Sequence, residues 1–256
     1  MIIALLTDFG TKDYFVGAMK GVILSVNSEA KIVDITHEIE PQNTQSAGLI
    51  LASCYRNFLP KTIFVAVVDP GVGSKRRAIL VETGNHYFIA PDNGLLSLVL
   101  VNETNYQVFE LTNPKFFLAD VSQTFHGRDV FAPVAAWLSK GISPNEFGEE
   151  VKDLVLDDSL KPQKVSSKEV EGQIIHVDNF GNLVTNLKKV DLPENFILQL
   201  DEKLVSTRQT FYSEAEIGEV FTIWGSAGYL EIVAYRNSAK DLLNVEIGEK
   251  VKVKSQ

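Results

Sequence analysis

An α/β chain in two parts, the first a layered α/β/α unit and the second a smaller, mostly antiparallel β unit, is what this sequence predicts. Three observations carry that expectation. Ile2–Leu6, Lys31–Ile35 and Ile63–Val68 are short apolar runs separated by stretches of helical spacing, a pattern that calls for parallel strands and crossover helices. Composition shifts after Gly148 to charge, Ser and Pro without clear period. Beyond that, short strands alternate with turns, the habit of a small antiparallel barrel or sandwich. The expected division is 1–150, a linker over 151–169, and 170–256.

In order, Ile2–Leu6 is a buried strand closed by Thr7-Asp8-Phe9-Gly10. Phe15, Val16, Met19, Val22, Ile23 and Val26 recur at helical spacing, so a helix spans about 14–26. After Lys31–Ile35 and Thr36-His37-Glu38, Asn43 or Thr44 caps a second helix that runs to about Phe58. Ile63–Val68 carries no charge, as a strand buried on both faces should. It stops at Asp69-Pro70-Gly71-Val72-Gly73, and Lys75, Arg76 and Arg77 follow. Pro70 holds Asp69 extended, just past a strand's carboxyl end, where open α/β sheets place ligands. Ala78–Glu82 and Tyr87–Ala90 form a hairpin, Pro91–Gly94 a turn, Leu95–Val101 a helical segment and Tyr106–Leu111 a strand. Phe125-His126-Gly127-Arg128-Asp129 leads into a helix over Val130–Leu138, whose N-terminal amides favour an anion or a neutral histidine. In the second part, strands are expected at Gly172–Val177, Leu183–Asn186, Phe196–Leu200, Val220–Trp224, Tyr229–Tyr235 and Lys250–Lys254, with one helix near Ala239–Asn244.

Composition excludes several classes of function. The 256 residues carry 45% hydrophobic side chains and a formal charge of −9, so phosphate-rich nucleic acid is a poor partner, and no basic stripe offers a membrane surface. One cysteine, Cys54, allows no internal disulfide and points to a reducing cytoplasm. The amino-terminal run is too short for a signal peptide and lacks its basic region. No transmembrane stretch is evident. Four scattered histidines and one cysteine count against zinc, while magnesium on the aspartate turns stays open. There is no dinucleotide fingerprint, P-loop, nucleophile elbow or HExxH.

Three acidic turns, TDFG, DITHE and VVDPGVG, end three strands. Any one is explained by the habit of Asp in helix-leading turns. Three that would share one sheet edge favour a site. His126 stands out among the histidines, because His86 and His176 fall inside strand patterns; His37 is ambiguous. Asp178-Asn179-Phe180-Gly181-Asn182 offers a carboxylate, an aromatic face and an amide to a polar molecule with a flat ring, or else is a hairpin turn. Gly225–Tyr229 is equally open.

Together, TDFG at 7–10, DITHEI at 34–39, VVDPGVG at 67–73, PDNGLL at 91–96, FHGRD at 125–129 and DNFGN at 178–182 are specific in kind and order. The chain resembles the S-adenosyl-L-methionine (SAM) hydroxide adenosyltransferases, adenosine-forming SAM hydrolases related to fluorinating and chlorinating enzymes. The resemblance implies an α/β/α domain, a C-terminal β-barrel, and a homotrimer with SAM between subunits. It implies hydrolysis of SAM to adenosine and methionine with no cofactor and no metal. Asp69, Arg76 and His126 would activate water, with His126 the nearest proton acceptor. Asp8 would hold the ribose hydroxyls. Asp178 and Asn182 would take the methionine end, Phe180 would line the pocket, and Ser226, Tyr229 and Glu231 would belong to its wall. The halide-using relatives lack the aspartate that this chain keeps at position 69. A halogenase, a magnesium-dependent phosphohydrolase and a non-catalytic adenosine sensor are the rival readings.

Overall fold

The computed structural model describes residues 1–255. These divide into two compact units, Met1–Asp157 and the residues from Asp158 onward.

The first unit is built on β1 (Ile2–Thr7), α1 (Phe15–Val26), β2 (Lys31–Thr36), α2 (Thr44–Cys54), β3 (Ile63–Val67), β4 (Ala78–Thr83), β5 (Tyr87–Pro91), α3 (Ser97–Leu100), β6 (Tyr106–Glu110), α4 (Ala132–Ser139) and β7 (Glu150–Val151). One seven-stranded sheet runs in the order β2-β1-β3-β5-β4-β6-β7. Its first four strands pair in parallel and the rest are antiparallel. Strand alternation splits the core in two. Ile3, Leu5, Ile63, Val65, Leu80 and Ile89 face Met19, Ile23 and Val134 of α1 and α4. Ala4, Leu6, Phe64, Ala66, Val81 and Phe88 face Ala47, Leu51 and Val99 of α2 and α3. Helices cover both faces, so the central strands are apolar at successive positions and not at alternate ones.

The second helix stops sooner than its periodicity implies. α2 ends at Cys54 and tightens into a 3₁₀ turn over Tyr55–Asn57. Its start is held by Asn43, whose side chain accepts from the Ser46 N–H at 2.9 Å. The segment before α4 also departs from expectation. Gly127–Phe131 is a π-helical turn, and Pro133 opens the α-helix behind it. Such single π turns accompany functional sites.

The second unit holds β8 (Gln163–Lys164), β9 (Glu169–Val177), β10 (Leu183–Lys188), β11 (Phe196–Leu200), β12 (Lys203–Val205), β13 (Val220–Trp224), β14 (Tyr229–Ala234), α5 (Ala239–Leu243) and β15 (Lys250–Ser255). The sheet order is β12-β11-β15-β9-β10-β14-β13, with β8 added to β9. Beyond β12, the Thr222 N–H of β13 donates to the Thr207 carbonyl at 2.9 Å, and the Gln209 N–H donates back to Thr222 at 3.1 Å. Those bonds nearly close the sheet into a barrel around Ile174, Leu198, Leu230, Ile232 and Val251.

Candidate active site

Because β1, β2 and β3 are parallel, their carboxyl ends share one edge of the sheet. The three acidic turns meet there. Arg76 folds back to Asp69: its Nε donates to both carboxylate oxygens at 3.0 and 2.9 Å, and its Nη2 also donates to Oδ2. The same Nη2 lies 2.8 Å from His126 Nδ1. The guanidinium carbon sits 5.5 Å from the centroid of Phe131, in the π turn. The Arg76 and Asp69 side chains are only 10% and 6% exposed, so the ion pair is nearly dry. The loop that carries them is seated by Gly73. With φ +76° and the Gln123 carbonyl 2.3 Å from where a Cβ would stand, this position admits no side chain. It brings the Asp69 loop onto the segment leading to His126.

The contact with Arg76 sets the protonation of His126. A guanidinium has donors and no acceptor, so the Nδ1 that faces it must be bare. Burial lowers the His126 pKa below its ordinary value, and the adjacent Arg76 charge lowers it further. The neutral ring then carries its proton on Nε2. In that state one nitrogen faces a cation and the other is already protonated, an arrangement that does not favour His126 as the acceptor of water's proton.

Asp8 is on the neighbouring turn. Its Oδ2 accepts from the Gln42 N–H at 2.8 Å. Gln42 adopts φ +68°, a left-handed conformation that costs a non-glycine residue about 1–2 kcal/mol. The Asp8 and His126 turns meet through Phe9 and Phe125, whose ring centroids are 5.8 Å apart.

In the second unit, Asp178 braces its own turn. Its Oδ1 accepts from the N–H groups of Phe180 and Asn182 at 2.8 and 2.9 Å, and its Oδ2 accepts from Asn182 Nδ2 at 2.8 Å. That turn presents Phe180 with 75% exposure. Phe180 and Asn182 line a cavity of about 560 Å³ with Tyr212, Tyr235, Arg236 and Asn237. Burial raises the Glu231 pKa, and nearby Asp178 raises it further. Ser226 is exposed at the tip of the β13–β14 hairpin. Tyr229 is not on any surface: it is 2% exposed, its hydroxyl is buried without a partner, and it does not line the cavity.

A family model described as the SAM hydroxide adenosyltransferase N-terminal domain matches residues 3–148, and its C-terminal counterpart matches 172–252. The chain belongs to the SAM hydroxide adenosyltransferase family. A relative from Methanocaldococcus jannaschii named (R)-S-adenosyl-L-methionine hydrolase is 34% identical, over 98% of this chain and 95% of its own length. One of the same name from Salinispora arenicola is 36% identical over 98% of this chain and 97% of its own. A fluorinase from Actinoplanes is more distant, at 28% over 93% of this chain and 91% of its own. An uncharacterized conserved protein from Thermotoga maritima superposes with a TM-score of 0.90 at 35% identity, covering 99% of this chain and all of that one.

Within this adenosyltransferase chain, sequence reading missed Gln42, Phe131, Tyr212, Arg236 and Asn237. None lies in a motif with chemistry of its own. Arg236 and Asn237 had one signal, a polar Arg-Asn-Ser break after β14, and Arg236 takes φ +54° there. Among the described residues, no three His, Cys, Asp or Glu side chains converge as a metal site. No helix among them is long and apolar enough to cross a membrane.

Proposed function

We propose that this chain hydrolyses S-adenosyl-L-methionine, in the (R) configuration at sulfur, to adenosine and L-methionine. The observation that carries the reading is the nearly dry Asp69–Arg76–His126 cluster at the edge where the three parallel strands end. Family membership and the names of the relatives support the substrate.

Water attacks ribose C5′. The C5′–O bond forms as the C5′–S bond breaks, with its electron pair going to sulfur. Methionine leaves as a neutral thioether, so no acid is needed. The attacking oxygen becomes oxonium-like as its bond forms, which makes its proton acidic enough for a carboxylate. Asp69 keeps lone pairs beyond those that Arg76 uses and is the proposed acceptor, passing the proton to solvent. Arg76 fixes Asp69, and neutral His126 offers its Nε2–H to the oxygen of the water. A dry pocket favours the step, because a sulfonium loses its charge in it.

Asp8 is proposed to hold the ribose hydroxyls. Phe180, Asn182 and the cavity they line are proposed to take the rest of the ligand, with Asp178 and Glu231 on the ammonium side. The cavity falls in the size range of small-molecule pockets. A homotrimer with substrate between subunits is the proposed assembly, supported by the motif resemblance. The proposed setting is cytoplasmic, in keeping with a lone Cys54.

Separated (R) and (S) epimers incubated with the protein, with adenosine read by chromatography, test the function. Adenosine from the (R) epimer supports it. A 5′-halo-adenosine formed with chloride or fluoride would favour the halogenase instead. The phosphohydrolase reading is weaker, since the Arg76 cation already neutralises Asp69 where a second cation would have to bind.

A further inference from the structure

The DITHE turn has no part in that reaction, yet it holds a buried histidine in a directed chain of polar groups. His37 is 4% exposed. Its Nδ1 lies 2.8 Å from the Thr7 hydroxyl oxygen. Its Nε2 lies 3.1 Å from Asp34 Oδ1, without the alignment of a good hydrogen bond and with no other partner. Lys20 Nζ donates to the other Asp34 oxygen at 2.6 Å. On the far side, the Phe9 N–H donates to the Thr7 hydroxyl at 3.3 Å, and the Gly10 N–H donates to the His37 carbonyl at 2.7 Å.

One tautomer satisfies these contacts. The carboxylate facing Nε2 requires a proton there, so Nδ1 accepts from the Thr7 O–H. The Thr7 oxygen keeps a lone pair for the Phe9 amide. The hydrogen bonds then run one way, from the Phe9 amide to Thr7 and from Thr7 to His37, and the ring's Nε2 faces Asp34 at 3.1 Å as a close electrostatic contact. The atom order is that of a hydrolase triad, but Thr7 is fully buried and its hydroxyl meets no substrate. What the chain encloses is Asp8, whose next two amides it ties down.

We infer that Asp34 and His37 form a positioning relay that aims Asp8 at the ribose diol. The inference rests on the reading of Asp8 as the diol ligand. With Phe9 and Gly10 tied and Oδ2 taken by Gln42, the Asp8 backbone is fixed and Oδ1 is left for a ligand. A carboxylate already oriented gives its full hydrogen bond without an ordering cost at binding. Neither relay residue touches the reacting atoms.

The test is calorimetry on the full chain with adenosine and with 2′,3′-dideoxyadenosine, which lacks the diol. His37→Phe is expected to weaken adenosine about tenfold, about 1.4 kcal/mol, and to leave the dideoxy compound within about twofold. Asp34→Asn should give the same selective loss, smaller in size. A merely structural role would weaken both ligands alike. Equal losses, or none, in a folded His37→Phe would overturn the relay. If that variant does not fold, Asp34→Asn decides by the same criterion, since its side chain is 41% exposed and its loss opens no cavity. Asp8→Ala separates the two ideas. If it keeps the preference for adenosine, the diol assignment itself is wrong; if it abolishes the preference while the relay variants keep it, only the relay falls.

Discussion

Burial pushes His86, His126 and His176 in the same direction, and for the first two the consequences differ. For His126, burial and the adjacent Arg76 favour the neutral ring, which the proposed reaction uses. Activity should therefore be level at neutral pH and fall as pH drops through a value below 6.5, the ordinary histidine value. The measurement is the pH dependence of kcat/KM, together with an NMR titration of His126. In Arg76→Ala, the His126 titration should move up toward 6.5, because the cation that opposed protonation is gone. An acid limb above 6.5 in the parent protein would contradict the tautomer argument. His86 serves no reaction. It is packed among Tyr55, Phe64 and Phe88, its Nδ1 is buried without a partner, and burial lowers its pKa. A folded-state value below the unfolded one means that the unfolded chain takes up the proton first. Stability from this group is complete above 6.5 and declines as pH falls below it. His86→Phe should flatten the loss of unfolding free energy between about pH 7 and pH 5, read by urea titration. A slope as steep as in the parent would show that other groups carry it.

At the scale of elements, Gly48 shows how packing can outweigh propensity. Inside a helix, Gly→Ala normally gains up to about 1 kcal/mol. Here a Cβ would stand 2.5 Å from the backbone carbonyl of Leu95, so α2 would have to back away from the segment that leads into α3. Overpacking of this kind costs about 1–3 kcal/mol. Gly48→Ala is therefore expected to be net destabilising in urea titration, and a gain in stability would show that the segment after Gly94 yields freely. The same contrast between local pattern and tertiary contact explains what the sequence made legible. Ile2–Leu6, Ile63–Val68 and the Ala78–Ala90 hairpin carry their own apolar runs and turn residues, so strand type and pairing could be read directly. The meeting of Asp69, Arg76 and His126 could be anticipated only as turns on one edge. The side that Arg76 faces, and hence the protonation of His126, depends on Gly73 settling onto Gln123, a contact between residues far apart in sequence. The π turn over Gly127–Phe131 left no periodic trace, because five residues with an apolar tail read equally well as the start of an α-helix. The contact of Thr207 and Gln209 with Thr222, which nearly closes the barrel, lies outside every expected strand pair.

At the scale of the molecule, the groups proposed for the reaction are divided between two units. Asp8, Asp69, Arg76 and His126 belong to the first, and Phe180, Asn182 and Glu231 to the second. The proposed homotrimer makes a specific claim about which chains supply which half. In a closed ring of identical subunits, each heterologous interface joins one surface of a chain to a different surface of its neighbour. A site built there takes its first-unit residues from one chain and its second-unit residues from the next. Asp69→Ala should abolish turnover in one chain, and Asn182→Ala combined with Phe180→Ala should abolish it in another. Each variant alone is expected to lose at least about 10²-fold, the scale of a removed proton acceptor or a misplaced substrate. Co-expressed in equal amounts and assembled at random, the two kinds of chain leave about one site in four with both halves intact if neighbours share a site. Activity near a quarter of the parent, with light scattering at the mass of a trimer, is the expected result. If each site were completed within its own chain, every site in the mixture would carry a defect and mixing would restore nothing, whatever the oligomeric state.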